Sequence, residues 1–125
     1  MKIRIYFIIA LVIAISSAGC KKQIQPFKPE ASNSFSASLE NSSGAFSAIK
    51  STTNIVIIAG TNGWSITQEV ANNWCVPDKN YGAGDYKLRI TLNANTTGID
   101  RSTQIKLVST NSSLKPVLLN ISQTK

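Results

Sequence analysis

A strict alternation of apolar and polar residues between positions 86 and 92 constrains the fold of this chain more than any other segment. The apolar residues are Tyr86, Leu88, Ile90 and Leu92, and the polar residues between them are Lys87, Arg89 and Thr91. Successive side chains of a β-strand point to opposite faces, so a period of two predicts a strand buried on one face only.

Six further segments carry β-type patterns, at residues 35–39, 54–59, 64–66, 74–76, 105–107 and 117–121. The run Asn-Ile-Val-Ile-Ile-Ala at 54–59 is continuously apolar after its first residue, which predicts a central strand buried on both faces. Turn residues separate the segments at 41–44, 60–63 and 93–98, and residues 78–84 are predicted to form a glycine-rich loop. The stretch 68–73 has an ambiguous pattern that is compatible with a helical turn.

About seven short strands with turn signals every eight to twelve residues are typical of a β-sandwich. The sequence therefore predicts an all-β fold, an immunoglobulin-like antiparallel β-sandwich. No internal repeat and no long amphipathic helix competes with that prediction.

The first twenty residues have the composition of a secretory signal. Lys2 and Arg4 precede an apolar stretch at 5–15, which is followed by Ser-Ser-Ala-Gly and then Cys20. Eleven apolar residues fall short of the roughly 20 that a spanning helix needs. The arrangement resembles the lipobox of bacterial lipoproteins, in which the cysteine is acylated and becomes the mature N-terminus. Cleavage by an ordinary signal peptidase after Ser-Ala-Gly is the alternative, because Ser17 stands where a lipobox usually has an apolar residue.

Three regions follow from these patterns. Residues 1–19 are predicted to be a lipoprotein signal peptide, residues 20–33 the lipidated cysteine with a flexible tether, and residues 34–125 the β-sandwich domain. The expected location is the cell envelope, anchored in the bilayer through acylated Cys20. The outer membrane is favoured, with the periplasmic and surface faces both open.

Composition excludes several function classes. Without Lys2 and Arg4 the mature chain keeps eleven basic and six acidic residues, and no basic run interleaves with aromatic residues, so a nucleic-acid partner is not expected. The chain has no histidine, which excludes Ser–His and Cys–His pairs and histidine-ligated zinc. Cys75, between Trp74 and Val76, is predicted to be a small buried hydrophobic residue. Neither a metal nor a cofactor is expected.

Carboxylates give no sign of catalysis either. Glycoside hydrolysis requires two carboxylates about 5 to 9.5 Å apart across a cleft. Glu69, Asp78 and Asp85 are the only acidic residues near the tryptophan region, and their spacing does not mark a pair. The chain is therefore predicted not to be an enzyme.

An ordered set of short motifs resembles a known family. It comprises Gly-Trp-Ser-Ile at 63–66, Trp-Cys-Val at 74–76, the glycine-rich loop, Leu-Arg-Ile-Thr-Leu-Asn-Ala-Asn-Thr-Thr-Gly at 88–98, Arg-Ser-Thr-Gln-Ile at 101–105 and Ile-Ser-Gln at 121–123. Together these motifs resemble the BACON domain (Bacteroidetes-associated carbohydrate-binding, often N-terminal), and the resemblance covers roughly residues 35–124. The resemblance implies an immunoglobulin-like sandwich of the kind found in extracellular and carbohydrate-active proteins, with a glycan-binding role.

A glycan site needs a flat aromatic surface for the C–H faces of a sugar and polar groups for its hydroxyls. The candidate ligand-binding residues are Trp74 and Tyr81, with Asp78 and Asn80 as polar partners. The alternative function is a structural or adaptor lipoprotein that docks another envelope protein. Burial of both Trp74 and Tyr81 would favour the adaptor.

Three other conspicuous side chains are assigned structural roles. Trp64 begins a strand two residues before Ile66, and Tyr86 leads an alternating apolar face, so both are expected in the core. Arg101 follows the asparagine-rich turn and is expected to tie that turn down rather than to bind a ligand.

Overall fold

The strand patterns produce two β-sheets packed face to face. The computed structural model describes residues 29–68 and 72–125, so the leader, Cys20, most of the predicted tether and Glu69 lie outside the described residues. The nine strands within these ranges are β1 Ser36–Leu39, β2 Ala45–Phe46, β3 Ser51–Ile58, β4 Gly63–Gln68, β5 Cys75–Pro77, β6 Tyr81–Ala83, β7 Tyr86–Leu92, β8 Arg101–Ser109 and β9 Val117–Gln123.

The two sheets have the strand orders β1-β3-β7-β5 and β2-β9-β8-β4-β6. All neighbouring strands are antiparallel except β2 and β9, which run parallel. The chain crosses from one sheet to the other at every connection except the one between β8 and β9, which are neighbours in the same sheet. The prediction of an all-β, immunoglobulin-like sandwich is confirmed.

Alternate residues of the long strands form the core between the sheets. The side chains with no exposed surface include Ile55 and Ile57 of β3, Leu88, Ile90 and Leu92 of β7, and Ile105 and Leu107 of β8. The prediction that residues 54–59 are buried on both faces is wrong. Val56 is half-buried and Ile58 is 45% exposed, because a two-layer sandwich leaves the outer face of each sheet to solvent.

The glycine-rich segment contains a strand that the sequence did not predict. Tyr81–Ala83 forms β6 and pairs with β4, with Gly82 opposite Trp64 and Tyr81 opposite Ser65. An added Cβ at Gly82 would lie 2.5 Å from Cζ2 of the Trp64 ring. Gly82 therefore serves close packing against the indole, a role that glycine also has inside strands.

The N-terminal part of the described chain is attached to one end of the sandwich. The amide of Thr61 donates to Oγ of Ser32 at 2.9 Å, and the side chains of Asn62 and Asn111 donate to the Ser32 carbonyl oxygen at 2.9 and 3.1 Å. We call this end, formed by residues 59–62 and 110–116, the tether end. The opposite end, formed by residues 47–50 and 93–100, is called the far end.

The predicted tether thus includes residues that hydrogen-bond to the domain. Across residues 29–68 and 72–125, no helix is long and apolar enough to cross a membrane.

Candidate functional site

Trp74 is largely buried rather than exposed to solvent. Its side chain is only 9% exposed, and the Arg101 guanidinium lies 4.6 Å above the ring centroid. Its carbonyl oxygen accepts a 2.8 Å hydrogen bond from the Asn93 amide. Core packing and the stacked cation together cover the indole, so little aromatic surface is left for a sugar.

Arg101 is the centre of a hydrogen-bond network that closes the far end. Its guanidinium donates to Oε1 of Gln123 through Nε and Nη2, at 2.9 and 2.8 Å, and to the carbonyl oxygens of Asn93 and Ala94 at 2.8 and 3.1 Å. Gln123 is 1% exposed and donates in turn to the Asn93 carbonyl oxygen at 3.0 Å. The prediction that Arg101 ties down the asparagine turn is confirmed. The role of Gln123 was not foreseen, since a glutamine near a C-terminus gives no sign of burial.

Asn95 holds the turn itself. Its side-chain amide donates to the carbonyl oxygens of Ile99 and Thr124 at 2.7 and 2.9 Å, and its Oδ1 accepts from the hydroxyl of Thr97 at 2.6 Å. This is the turn chemistry expected of asparagine.

Tyr81 is the aromatic side chain that solvent reaches most freely among the described residues, with 77% of its surface exposed. It lies on the outer face of the five-stranded sheet, because Gly82, its neighbour in β6, faces the buried indole of Trp64. The register places Tyr81 opposite Ser65 of β4, which in turn lies opposite Val108 of β8.

Asp78 and Asn80 precede Tyr81 on the connection between β5 and β6, and both side chains are exposed. Backbone bonds hold this connection: the Asp78 amide donates to the Arg89 carbonyl oxygen at 3.0 Å, and the Asn80 carbonyl oxygen accepts from the Ile66 amide at 2.7 Å. Asn80 also lines a shallow depression of about 310 Å³ together with Ile66, Thr67, Gln68 and Pro77.

The four candidate residues therefore do not form one cluster. Arg101, which covers Trp74, is the first residue of β8. Tyr81 is aligned across the sheet with Val108, which lies seven residues further along β8. Seven residues of a β-strand span about 23 Å. Tyr81, Asn80 and Asp78 remain together on one side, and Trp74 lies at the far end.

The two aromatic residues expected in the core differ from each other. Trp64 is 1% exposed, which confirms its prediction, and its indole Nε1 donates to the Gly84 carbonyl oxygen at 3.2 Å. The prediction for Tyr86 is wrong, since the ring is 37% exposed. Tyr86 is the first residue of β7, and its ring is tilted by 35° against that of Trp64, with centroids 5.7 Å apart. Nζ of Lys79 lies 4.1 Å from the Tyr86 ring centroid.

Three ionisable groups in the described part of the chain have a shifted pKa, and none of the shifts suits acid–base catalysis. Burial raises the pKa of the Cys75 thiol to about 11, and this cysteine has no exposed surface, as predicted. Hydrogen bonds from the Gly60 and Ala59 amides lower the pKa of Asp85, and hydrogen bonds from Asn54 and Lys87 lower that of Glu40. A general acid requires a raised carboxyl pKa, the opposite of what these two residues have. No group of three or more histidine, cysteine, aspartate or glutamate side chains that could hold a metal occurs among residues 29–68 and 72–125.

Comparison with solved structures shows the fold in other proteins. A Bacteroides ovatus GH5 xyloglucanase, in complex with a XXXG heptasaccharide, is similar at a TM-score of 0.58 and 23% identity over 71% of this chain. That match spans 19% of the xyloglucanase. WR4, a C. elegans MSP family member (TM-score 0.45, 9% identity, 70% of this chain and 95% of WR4), and the ASH/PapD-like domain 7 of human CEP192 (0.47, 11%, 82% and 92%) are weaker likenesses on which nothing below depends.

Comparison with curated protein sequences finds no match. Comparison with family models does: residues 63–124, from the start of β4 to just past β9, match the BACON model, described as "Putative binding domain, N-terminal". The match includes both tryptophans, the Asn95 turn and the Arg101–Gln123 network. This part of the chain is a BACON domain.

Proposed function

We propose that this protein is a membrane-anchored extracytoplasmic lipoprotein whose sandwich is a non-catalytic binding module for glycan. The observation that carries the glycan proposal is the exposure of Tyr81 on the outer face of β6. The ring is 77% exposed, and Gly82 beside it packs against the buried Trp64 indole. A solvent-facing aromatic ring is the surface that a sugar's C–H face requires.

Polar groups around Tyr81 supply the second requirement of a glycan site. Ser65 lies directly across from it, Asn80 precedes it, and Asp78 is on the same connection. Hydroxyl, amide and carboxylate groups together offer donors and acceptors to sugar hydroxyls. The BACON match supports a binding role, and the xyloglucanase complex makes xyloglucan a sensible first polysaccharide to try.

Affinity electrophoresis in gels containing soluble polysaccharides, xyloglucan among them, tests the proposal on the chain from residue 20 with Cys20→Ser. We expect retardation that Tyr81→Ala abolishes and Tyr81→Phe preserves, because phenylalanine keeps the ring. Asp78→Ala and Asn80→Ala should weaken it to a lesser degree. Migration unaffected by every polysaccharide, or retardation indifferent to Tyr81→Ala, would overturn the glycan proposal.

The anchor is proposed from the leader alone, since Cys20 lies outside the described residues. Acylation adds roughly 0.8 kcal/mol of membrane affinity per buried CH₂, so a cysteine carrying more than one chain is stably held. The protein should partition into detergent and lose that behaviour in Cys20→Ser but not in Cys75→Ser. Mass measurement of an unmodified N-terminus after the signal would contradict the proposal.

A second candidate function, docking of another envelope protein, is favoured by two exposed isoleucines at the far end. Ile49 is 71% exposed and Ile99 is 67% exposed. The two isoleucines lie in loops that Asn95 connects. The backbone amide of Asn95 donates to the Ala48 carbonyl oxygen, and its side-chain amide donates to the Ile99 carbonyl oxygen. Crosslinking in intact cells should then recover one protein whose yield falls in Ile49→Ser and Ile99→Ser. An unchanged yield would exclude this surface.

A further inference from the structure

A second polar surface lies on the same outer face as Tyr81. A shallow depression of about 370 Å³ opens where β8 and β9 meet the turn that precedes β2. Its polar side chains are Ser43, Ser102, Gln104, Asn120 and Ser122, together with Thr103. None of the lining residues is charged, although the chain as a whole is strongly basic.

The amides at its centre are arranged to bind hydroxyl groups. Nε2 of Gln104 donates to Oδ1 of Asn120 at 3.0 Å, which fixes both side chains on adjacent strands. An amide has two N–H donors and one carbonyl acceptor. The bond therefore leaves the Asn120 N–H groups as donors and the Gln104 carbonyl oxygen as an acceptor without a partner among the described residues.

Gly44 fixes the wall of the depression. Its φ is +62°, and an added Cβ would lie 2.4 Å from the Asn120 carbonyl oxygen. Only glycine allows the turn to approach β9 so closely. Leu118, two residues before Asn120 on the same face of β9, is 53% exposed and adds apolar surface beside the amides.

The depression and Tyr81 are close enough for one extended ligand. Tyr81 is aligned across the sheet with Val108 of β8, because both pair with Ser65. Val108 is four residues from Gln104 along β8, a distance of about 13 Å. β6 and β8 are separated by two strand spacings, or about 10 Å. We propose that this depression, centred on Gln104 and Asn120, is a second subsite for an uncharged glycan chain that also covers Tyr81. The proposal rests on the glycan function of the preceding subsection and places the ligand across the five-stranded sheet.

The test compares two double variants in the chain from residue 20 with Cys20→Ser. Gln104→Ala with Asn120→Ala should weaken retardation by a soluble neutral polysaccharide about tenfold, as expected for the loss of two or more hydrogen bonds. Thr52→Ala with Asn54→Ala, a matched pair on the four-stranded sheet, should change it less than twofold. Equal unfolding midpoints of the two double variants would show that both fold.

Amide chemical shifts in a titration with the same polysaccharide give an independent measurement. Residues of β8 and β9 around Gln104 and Asn120 should shift together with Tyr81. Loss of binding in Tyr81→Ala with no effect of the Gln104 and Asn120 changes would overturn this subsite and leave the glycan function intact. No binding by the parent chain to any polysaccharide would overturn both.

Discussion

Gly82 and Trp64 show how a single residue decides a local structure. Trp64 is the largest fully buried side chain, and its indole occupies the space where any other residue at position 82 would place its Cβ. The indole N–H is satisfied by the Gly84 carbonyl oxygen, so both glycines of the segment serve the same ring. A glycine-rich composition that normally indicates a loop here permits a strand to close over a tryptophan.

We expect Gly82→Ala to lower the free energy of unfolding by about 1–3 kcal/mol, the usual range for overpacking. The matched control is Gly98→Ala, where φ is +77° and no atom lies within 4 Å of the added Cβ. That change should cost only the left-handed backbone strain, about 1 kcal/mol. Urea unfolding of both variants measures the two costs, and a cost near zero for Gly82→Ala would show that the Trp64 ring moves to accommodate the methyl group.

Cys75 makes stability depend on pH in the alkaline range. Because burial raises the thiol pKa to about 11 from its ordinary 9.0, the unfolded chain loses this proton first as the pH rises. The contribution is fully present below pH 9 and is lost between about pH 9 and 11, to a limit of roughly 3 kcal/mol. Unfolding free energies of the parent and of Cys75→Ala, measured across this range, should therefore converge as the pH rises. Parallel curves would contradict the assignment.

At the scale of elements, the far end is closed by polar contacts rather than by a disulfide. The start of β8, the end of β9 and the connection after β7 meet at Arg101, which also stacks on Trp74 at the start of β5. Four segments from both sheets are thus joined by one guanidinium. A planar group with five donors can do this where an ammonium cannot.

Arg101→Lys should therefore destabilise the domain by about 1–3 kcal/mol, because the buried Gln123 loses its bidentate partner. Arg89→Lys is the control, since Arg89 is exposed on the outer face of β7 and should change stability by less than about 0.5 kcal/mol. Thermal unfolding of the two variants side by side measures the difference. Similar midpoints would mean that lysine restores the network.

At the scale of the whole molecule, the attachment of Ser32 determines how the sandwich would sit on a membrane. The chain reaches the domain at the tether end, while Ile49, Ile99 and the Arg101 network lie at the far end. The nine residues of β8 separate the two ends by about 26 Å. A short anchored tether would hold the first end towards the bilayer and present the second outward.

Fluorophores on single cysteines test that orientation in the lipidated protein, because buried Cys75 resists labelling. With quencher on the lipid headgroups, a label at Ser112→Cys in the tether end should be quenched more than one at Thr97→Cys in the far end. The chain with Cys20→Ser should show no quenching at either position. Equal or reversed quenching in the lipidated protein would overturn the orientation.

The sequence alone determined the fold class and the faces of strands that alternate clearly, such as the buried side of Leu88, Ile90 and Leu92, because a period of two is a local signal. The continuous apolar run at 54–59 carries no such alternation, and its outer face was predicted wrongly. It also predicted that Trp64 and Cys75 are buried and that Arg101 ties down the asparagine-rich turn. Only the tertiary structure decided what each aromatic does. Trp74 is covered by a residue 27 positions away, Tyr86 reaches the surface because it begins its strand, and Tyr81 is exposed because Gly82 turns inward to Trp64. The depression at Gln104 and Asn120 likewise exists only through the pairing of β8 with β9 and the close approach of Gly44, contacts between residues far apart in the chain.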